Sequence, residues 1–328
     1  MNMLIPVTII TGFLGAGKTT LLNHLLRQAD MAHCALIINE LGHVGLDDIL
    51  AKSLVQQVES PHIAENMRLL ASGCLCCSLN NELADTMRDL FFKRALGGIP
   101  AFERLVIETT GMADPVPIMA HLLNEPVINS VYQLAQMVVV VDSQYVQQQV
   151  QQHREAWKQI ASADVLLLSK LDLIDDAAKQ QVKQLLEEIN PHAIQRDLIH
   201  GQLNASELFA LDRTNKRPQQ PGKTTRRFST AHGEQVRSFI IQLPEPVNYT
   251  RLEQKLHWLC QQHGENLLRL KGIIQAEDLT GPIALHAVHH TLYPATPIDQ
   301  APAGQCNQLV MIGIDLDEQE IRKQMMMI

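Results

Sequence analysis

The chain has 328 residues and a formal net charge of −8 at pH 7, and this length predicts two domains with a sizeable core. The negative charge argues against a protein drawn to nucleic acid or to an acidic membrane by a global positive field. The first residues show no basic segment or cleavage site, and no stretch approaches the roughly 20 apolar residues that cross a bilayer. With six cysteines in a chain of this size, we expect a cytoplasmic protein in a reducing compartment.

Short apolar runs alternate with helical patterns from the start of the chain to about residue 200. Most runs are apolar at consecutive positions, which is typical of parallel strands buried on both faces. The alternation predicts an α/β fold with a doubly wound, mostly parallel sheet. The predicted strands are 7–10, 34–39, 104–109, 136–142 and 164–170, and the predicted helices include 20–29, 78–92 and 176–190. A glutamine-rich stretch at 147–152 is interpreted as a solvated helix face.

The pattern changes near residue 212, where the chain becomes polar, basic and rich in proline and glycine. We therefore predict a domain at 1–212, a linker at 213–235 and a second domain at 236–328. The second domain has strand patterns at 237–243, about 267–276, 283–292 and 307–315, with helices at 249–262 and at the end of the chain. This order predicts a smaller α+β domain with an antiparallel sheet, in which Trp258 and Cys260 pack inside.

A glycine-rich motif follows the first predicted strand and precedes a helix. The residues GFLGAGKT at 12–19 match G-x-x-x-x-G-K-[ST] in full. Glycines allow the tight turns that bring successive backbone N–H groups onto phosphate oxygens at a helix N-terminus. Lys18 would reach the outer phosphates and the Thr19 hydroxyl would bind Mg²⁺. The predicted nucleotide contacts in this loop are Gly12, Phe13, Leu14, Gly15, Ala16, Gly17, Lys18, Thr19 and Thr20.

Glu108 ends a predicted strand and begins the sequence ETTG at 108–111. A carboxylate at this place can hold Mg²⁺ through water, and Gly111 can act as a hinge that responds to the γ-phosphate. The alternative is an exposed glutamate at a strand end. We predict that Glu108 joins Lys18 and Thr19 as a catalytic residue.

The residues SKLD at 169–172 resemble the N-K-x-D motif with which GTPases read guanine. Asp172 can accept two adjacent N–H groups on guanine, which adenine does not present, and the Lys170 stem can cover the loop and the base. Ser169 replaces the usual asparagine, so one side-chain amide is lost. The motif favours guanine, and an ATP-dependent kinase or ligase is the alternative.

The segment SGCLCC at 72–77 carries three cysteines within four positions. They are a disulfide, buried or redox-active thiols, or metal ligands. A disulfide between adjacent residues would be strained, whereas the start of the next helix favours thiolates, which soft divalent metals select. Residues after the second strand can lie near this loop at the sheet edge and complete an open metal site. The candidate ligands are Cys74, Cys76, Cys77, Glu40 and His43.

The motifs GFLGAGKTT, NELG (39–42), SGCLCC, ETTGMADP (108–115) and SKLD have the order and approximate spacing of CobW-type metallochaperone GTPases, a SIMIBI-class family of P-loop proteins. The chain resembles this family, and in particular its YjiA-like zinc-chaperone branch. RLKGII at 269–274 extends the resemblance into the second domain. The resemblance implies hydrolysis of GTP to GDP and phosphate, and delivery of a divalent metal, with Zn²⁺ favoured, to client metalloproteins such as zinc enzymes. Co²⁺ and Ni²⁺ also tolerate sulfur and imidazole ligands, and Mg²⁺ is expected with the nucleotide.

Two departures from the family pattern concern metal ligands. The family usually has an acidic residue where His43 stands, and some relatives have glutamate at the position of Ile38. Many relatives in this family carry a histidine-rich tract near the second domain. The histidines of this chain are scattered, and His286, His289 and His290 are the nearest cluster. A metal-sensing or metal-storage GTP-binding protein without client transfer is the alternative function. The oligomeric state is left open between monomer and homodimer, and neither nucleic acid nor membrane is expected as a partner.

Overall fold

The computed structural model describes residues 4–40, 67–71, 78–112, 125–210, 226–229, 235–298, 301 and 306–326. Two compact units divide the chain: Met1–Lys183 with Ala193–Asn215, and Gln184–His192 with Lys216–Ile328. Each unit has its own sheet and its own hydrophobic core. Within the described residues, no helix is both long and apolar enough to cross a membrane.

Seven described strands form the parallel sheet of the first unit. They are β1 (Ile5–Thr11), β2 (Cys34–Glu40), β3 (Met67–Ala71), β4 (Arg104–Glu108), β5 (Tyr132–Asp142), β6 (Val165–Ser169) and β7 (Ile194–Leu198). Their order is β3-β2-β4-β1-β5-β6-β7, and each neighbouring pair is parallel. The chain therefore builds one side of the sheet from β1, returns to β4, and then builds the other side. This order confirms the predicted doubly wound α/β sheet.

The strands at the centre of this sheet are apolar on both faces. All five residues of β6 are buried, and β1 is buried throughout except at Pro6, which is half-buried. Such burial is the expected result of covering both faces of a parallel sheet with helices. Strands β3 and β7 were not predicted from the sequence. In β7 the reason is visible, since Arg196 and Asp197 of this edge strand are exposed and interrupt the apolar run.

The helices that follow strands of the parallel sheet are α1 (Lys18–Leu25), α2 (Ser78–Ala95), α3 (Pro126–Asn129), α4 (Val146–Gln152), α5 (Arg154–Ser162), α6 (Asp176–Ile189) and α7 (Ala205–Ala210). The part of α6 from Gln184 onward is assigned to the second unit. In α4, Val146 and Val150 are buried one turn apart, while most of the glutamines are exposed. The prediction of a solvated glutamine face is confirmed. Helix α5 was not predicted, although it buries Trp157 completely.

The second unit contains an antiparallel sheet. Its described strands are β8 (Arg226–Ser229), β9 (Gln235–Gln242), β10 (Leu267–Ile274), β11 (Ile283–Val288), β12 (Thr291–Leu292), β13 (Thr296–Pro297) and β14 (Gln308–Ile314). The order is β12-β11-β10-β14-β9-β8, and β13 also pairs with β11. Helices α8 (Tyr249–His263) and α9 (Glu318–Met325) complete the described elements of this unit. The prediction of a smaller α+β domain is confirmed.

Helix α8 begins and packs as its sequence indicates. The Asn248 side chain accepts a hydrogen bond from the Arg251 N–H at 3.0 Å, which caps the helix N-terminus. Leu252, Leu256 and Leu259 are fully buried at helical spacing, with Cys260 beside them. Burial of each leucine contributes about 1.5–3 kcal/mol before entropy is counted. Cys260 therefore packs in the core, as predicted.

Residues 226–229 fall inside the predicted linker, but they form strand β8. They pair with β9 at the edge of the antiparallel sheet. An edge strand has one partner only and tolerates a polar, charged sequence, which is why composition pointed to a linker. The predicted boundaries at 212 and 235 stay predictions, since most of the chain between them lies outside the described residues.

Candidate functional site

The polar motifs of the first unit follow strands that end at one edge of the sheet. The glycine loop follows β1, ETTG begins at the end of β4, and SKLD begins at the end of β6. Parallel strands have their carboxyl ends at the same edge, and β1 lies where the strand order reverses. In open α/β sheets, ligands bind in the crevice at such a position.

The loop after β1 depends on backbone conformations that glycine permits. Gly12, Gly15 and Gly17 have φ values of 145°, 74° and 101°. A Cβ on Gly12 would lie 2.2 Å from the carbonyl oxygen of Val140 in β5, so a side chain cannot be accommodated there without movement. Gly17 directly precedes α1 and offers no side chain to cap it. The N–H groups of the first turn are thus available to an anion.

Lys18 folds back over this loop. Its Nζ donates to the Gly12 carbonyl at 2.8 Å and approaches the Phe13 carbonyl at 3.4 Å. The residue is buried, so its ammonium charge is held within the loop. Thr19 is half-buried at the start of α1, whereas Leu14 and Gly15 are exposed. This is an arrangement of backbone N–H groups and one cation that suits phosphate oxygens.

Glu108 is 2% exposed at the end of β4, next to Ile10 of β1. The alternative of an exposed strand-end glutamate is therefore wrong. The neighbouring Thr109 hydroxyl donates to the Thr11 hydroxyl at 2.7 Å, which joins the ends of β4 and β1. This contact holds the start of ETTG against the strand that leads into the glycine loop.

Gly111, the predicted hinge, packs against the glycine loop. A Cβ at this position would lie 2.8 Å from the backbone nitrogen of Leu14. The Gly111 carbonyl accepts a hydrogen bond of 3.3 Å from the buried side chain of Gln159 in α5. Sequence reasoning missed Gln159 because α5 itself was not predicted.

Ser169 replaces an asparagine of the guanine motif, but its hydroxyl is used. It donates to the Ala16 carbonyl of the glycine loop at 2.7 Å and lies 3.0 Å from the Val141 carbonyl. This buried contact fastens the end of β6 to the loop after β1. Sequence reasoning counted only the lost amide and missed this bond.

Lys170 pairs with a residue that the sequence did not single out. Its Nζ lies 2.7 Å from Oδ2 of Asp142, at the end of β5. Asp172 follows in a 3₁₀ turn, Leu171–Leu173, and is exposed. A carboxylate presented in this way can accept hydrogen bonds from the edge of a purine base. The contact of the Lys170 stem with a base stays a prediction.

The loop after β7 also reaches this edge and was not predicted. Gly201 has a φ of 73°, and a Cβ there would lie 2.8 Å from Cγ2 of Thr20. The Gln28 side chain donates to the Leu203 carbonyl at 2.8 Å and accepts from the Ala205 N–H at 2.7 Å. These bonds fix the loop to the segment that follows α1. The glycine at 201 was the available signal, but the missed β7 left it without context.

In the sequence, the predicted metal ligands stand at the end of β2 or after β2 and β3. Cys74, Cys76, Cys77 and His43 lie outside the described residues, and Glu40 is described by its backbone alone, as the last residue of β2. The described segments contain no group of three histidine, cysteine or acidic side chains that could hold a metal, and this includes the segment with His286, His289 and His290.

The cysteines of the described segments are free thiols. They are Cys34, Cys260 and Cys306. Burial raises the pKa of Cys34 to about 12, and burial does the same for Cys260. Both are therefore protonated at neutral pH and have the character of apolar core residues rather than of metal ligands.

Two family models match the chain. The nucleotide-binding domain described as CobW/HypB/UreG matches residues 6–196, and the C-terminal domain of the cobalamin synthesis protein cobW matches residues 236–328. This chain belongs to the CobW family of P-loop GTPases. Membership confirms the predicted family.

Relatives of this CobW-family GTPase match it over nearly its whole length. The zinc chaperone YjiA of Escherichia coli is 34% identical over 97% of this chain and 96% of its own. The zinc chaperone CobW of Pseudomonas aeruginosa is 29% identical over 98% and 90%. The crystal structure of Zn(II)-bound YjiA GTPase from E. coli has a TM-score of 0.69 at 28% identity and covers 99% of this chain and 98% of its own.

Proposed function

We propose that this CobW-family GTPase is a zinc metallochaperone, which binds Zn²⁺ at the CxCC segment and passes it to client metalloproteins in a GTP-dependent step. The observation that carries the proposal is the glycine loop with Lys18 folded over it. A buried hydrogen bond joins the loop to the guanine motif, and another joins ETTG to Thr11, the residue of β1 that precedes the loop. The relatives named as zinc chaperones support zinc as the cargo. Co²⁺ and Ni²⁺ also accept sulfur and imidazole ligands and are the other candidates.

Phosphate positioning is the basis of hydrolysis in this proposal. The N–H groups around Gly15 and Gly17 and the Lys18 ammonium bind the phosphates. The Thr19 hydroxyl and the buried Glu108 carboxylate are hard oxygen donors of the kind that suits Mg²⁺. When bound, Mg²⁺ neutralises charge on the phosphate oxygens. Glu108, Lys18 and Thr19 are thus the proposed catalytic residues, and Gly111 is the proposed hinge.

Guanine is the proposed base because the Asp172 side chain is exposed after β6 and is open to a base. At the end of β6, Ser169 is hydrogen-bonded to Ala16 and Lys170 is paired with Asp142. Two guanine N–H groups can donate to one carboxylate, and adenine offers no such pair. The ATP-dependent alternative would leave Asp172 without this role.

The proposed metal ligands Cys74, Cys76 and Cys77, with Glu40 or His43, follow two neighbouring strands. Strands β2 and β3 are parallel, and Glu40 pairs with Ala71, the last residue of β3. The carboxyl ends of these two strands therefore lie next to each other. Strand β2 is separated from β1 by β4 alone, so its end is about 10 Å from that of β1. This proximity supports coupling between the metal segment and the phosphate loop.

Nucleotide choice is tested by measuring GTP and ATP turnover side by side. We expect the wild type to prefer GTP. The variant Asp172→Asn should lose much of that preference, since an amide cannot accept from both guanine N–H groups. Faster turnover of ATP by the wild type would contradict the assignment.

Metal delivery is tested with zinc-loaded protein and a chromophoric zinc chelator as acceptor. We expect zinc to reach the chelator faster with GTP than with a non-hydrolysable GTP analogue, because the proposal couples release to hydrolysis. Equal rates would favour the storage or sensing function. The matched control is Lys18→Ala. With GTP or with the analogue, this variant should release zinc at the rate that the wild type shows with the analogue.

A further inference from the structure

Asp142 is a buried carboxylate at the end of β5. Its side chain is 3% exposed, and its Oδ2 lies 2.7 Å from Nζ of Lys170. Oδ1 accepts a hydrogen bond of 3.1 Å from the Gln144 N–H. Both carboxylate oxygens are thus engaged, and the ion pair has its acidic partner in the interior. A buried charge that loses its partner is strongly unfavourable, so the two residues hold each other in place.

The Lys170 backbone has a conformation that needs support. Its φ of 57° lies in the left-handed region, which non-glycine residues seldom occupy. This residue is the turning point between β6 and the 3₁₀ turn that carries Asp172. A different backbone conformation at Lys170 would change the direction in which Asp172 leaves the sheet. The ion pair therefore acts on the part of the chain that sets the position of Asp172.

The ends of β5 and β6 are also joined by their backbones. Asp142 pairs with Ser169 in the parallel register, and the Ser143 N–H donates to the Ser169 carbonyl at 3.1 Å. These bonds fix Ser169 but end one residue before Lys170. The side chain of Asp142 provides the next attachment along the motif.

We propose that Asp142 is a positioning residue for guanine recognition: its carboxylate holds Lys170 in the left-handed turn that directs Asp172 at the base. This inference rests on the proposed guanine specificity of Asp172. Asp142 does not touch the base in this account and acts through Lys170. Its loss should weaken guanine nucleotides selectively, because the phosphate loop is held to β6 by Ser169 rather than by Asp142.

The test is a measurement of dissociation constants for GDP and ADP with the full chain. For Asp142→Asn we expect the affinity for GDP to fall about tenfold or more, the effect of disturbing hydrogen bonds to a charged group. The affinity for ADP should change less than about twofold. Lys170→Met should show the same selective loss. The double variant Asp142→Asn/Lys170→Met, which leaves no unpaired charge, should be no worse than either single variant.

The matched control is Asp197→Asn on the neighbouring strand β7. This variant removes an exposed ion pair in which Asp197 lies 3.1 Å from Nζ of Lys183. It should leave both dissociation constants unchanged. An equal loss of GDP and ADP affinity in the double variant would mean that the pair only supports the fold, and an unchanged GDP preference would also overturn the proposal. If the wild type itself binds GDP and ADP equally, the guanine assignment fails and this inference fails with it.

Discussion

The two units use the polar residues of their loops in different ways. In the first unit, the loops after β1, β4 and β6 bring polar groups to one edge, where they bond to one another's segments, as Ser169 does with Ala16. In the second unit, polar loop side chains such as Asp278 and Asn307 also bond to other segments of their own unit, but they belong to none of the motifs predicted to bind nucleotide or metal. Asp278 accepts from the Tyr249 and Thr250 N–H groups, and Asn307 accepts from the Gln275 N–H.

This difference between the two units suggests that the loops of the first unit serve function and those of the second serve stability. A parallel doubly wound sheet gathers the ends of distant strands at one edge, and so offers several loops to one ligand. An antiparallel sheet alternates strand directions, and its loops are shared between two edges. We therefore expect substitutions at the strand ends of the first unit to change nucleotide binding, and substitutions in the loops of the second unit to change stability alone.

The largest effect is expected for Lys18→Ala. In the proposed site the buried ammonium group is the charge that meets the outer phosphates, so GTP turnover should fall by roughly two to three orders of magnitude. The matched control is Lys93→Ala in α2, whose lysine forms an exposed pair with Asp89. Turnover by Lys93→Ala should equal that of the wild type. A Lys18→Ala protein with wild-type turnover would contradict the assignment of GTP hydrolysis to the strand ends of the first unit.

A smaller effect, on both stability and binding, is expected for Gly12→Ala. The new methyl group meets the Val140 carbonyl at 2.2 Å, so the loop or β5 must shift, at a cost of about 1–3 kcal/mol. Gly15→Ala is the control, since a Cβ there has no heavy atom within 4 Å and only its φ of 74° is unfavourable. Denaturant unfolding and GDP titration should both rank Gly12→Ala as the more damaged protein. The reverse ranking would show that Gly12 is not tightly packed.

The smallest effect concerns the second unit. The pKa of Asp278 lies below its ordinary value, chiefly because its carboxylate accepts a hydrogen bond from the Tyr249 N–H. A lowered pKa in the folded state means that the carboxylate stabilises the unit above pH about 4, and that this contribution disappears as the pH falls through the lowered value. Asp278→Asn should thus unfold more easily than the wild type at pH 7, and the difference should shrink in acid.

Tryptophan fluorescence can follow this unit by itself. The chain has two tryptophans, Trp157 in the first unit and Trp258 in the second, so a Trp157→Phe background reports on the second. Glu277→Gln, which changes a neighbouring exposed carboxylate, is the control and should be as stable as the wild type at pH 7. Altered GTP turnover by Asp278→Asn would contradict the division of roles between the two units.

The sequence predicted the parts of the site that are continuous along the chain. The loop from Gly12 to Thr20 and the SKLD segment are short patterns with a strand before them, so the fold and the candidate phosphate-binding residues could both be inferred. The partner of Lys170 could not, because Asp142 lies 28 residues earlier and meets it only through the pairing of β5 with β6. The loop at Gly201 was missed with its edge strand β7, whose polar residues conceal the apolar pattern.

The proposed metal site is of the discontinuous kind, since its candidate ligands come from two segments of the sequence. Glu40 and His43 stand at the end of β2 and after it, and Cys74, Cys76 and Cys77 stand after β3. The central claim is that these ligands bind zinc under the control of the nucleotide. Linkage is reciprocal: if bound GTP strengthens zinc binding by some factor, then bound zinc strengthens GTP binding by the same factor. Binding also releases protons from thiols, so the affinity for zinc should fall as the pH drops.

The most direct test is a zinc titration of the wild type and of Cys74→Ala/Cys76→Ala, each with GDP and with a non-hydrolysable GTP analogue. We predict a tight site in the wild type that binds zinc more strongly with the analogue than with GDP, and loss of this site in the double variant. A double variant that keeps the tight site, or a wild-type site that is indifferent to the nucleotide, would contradict the account.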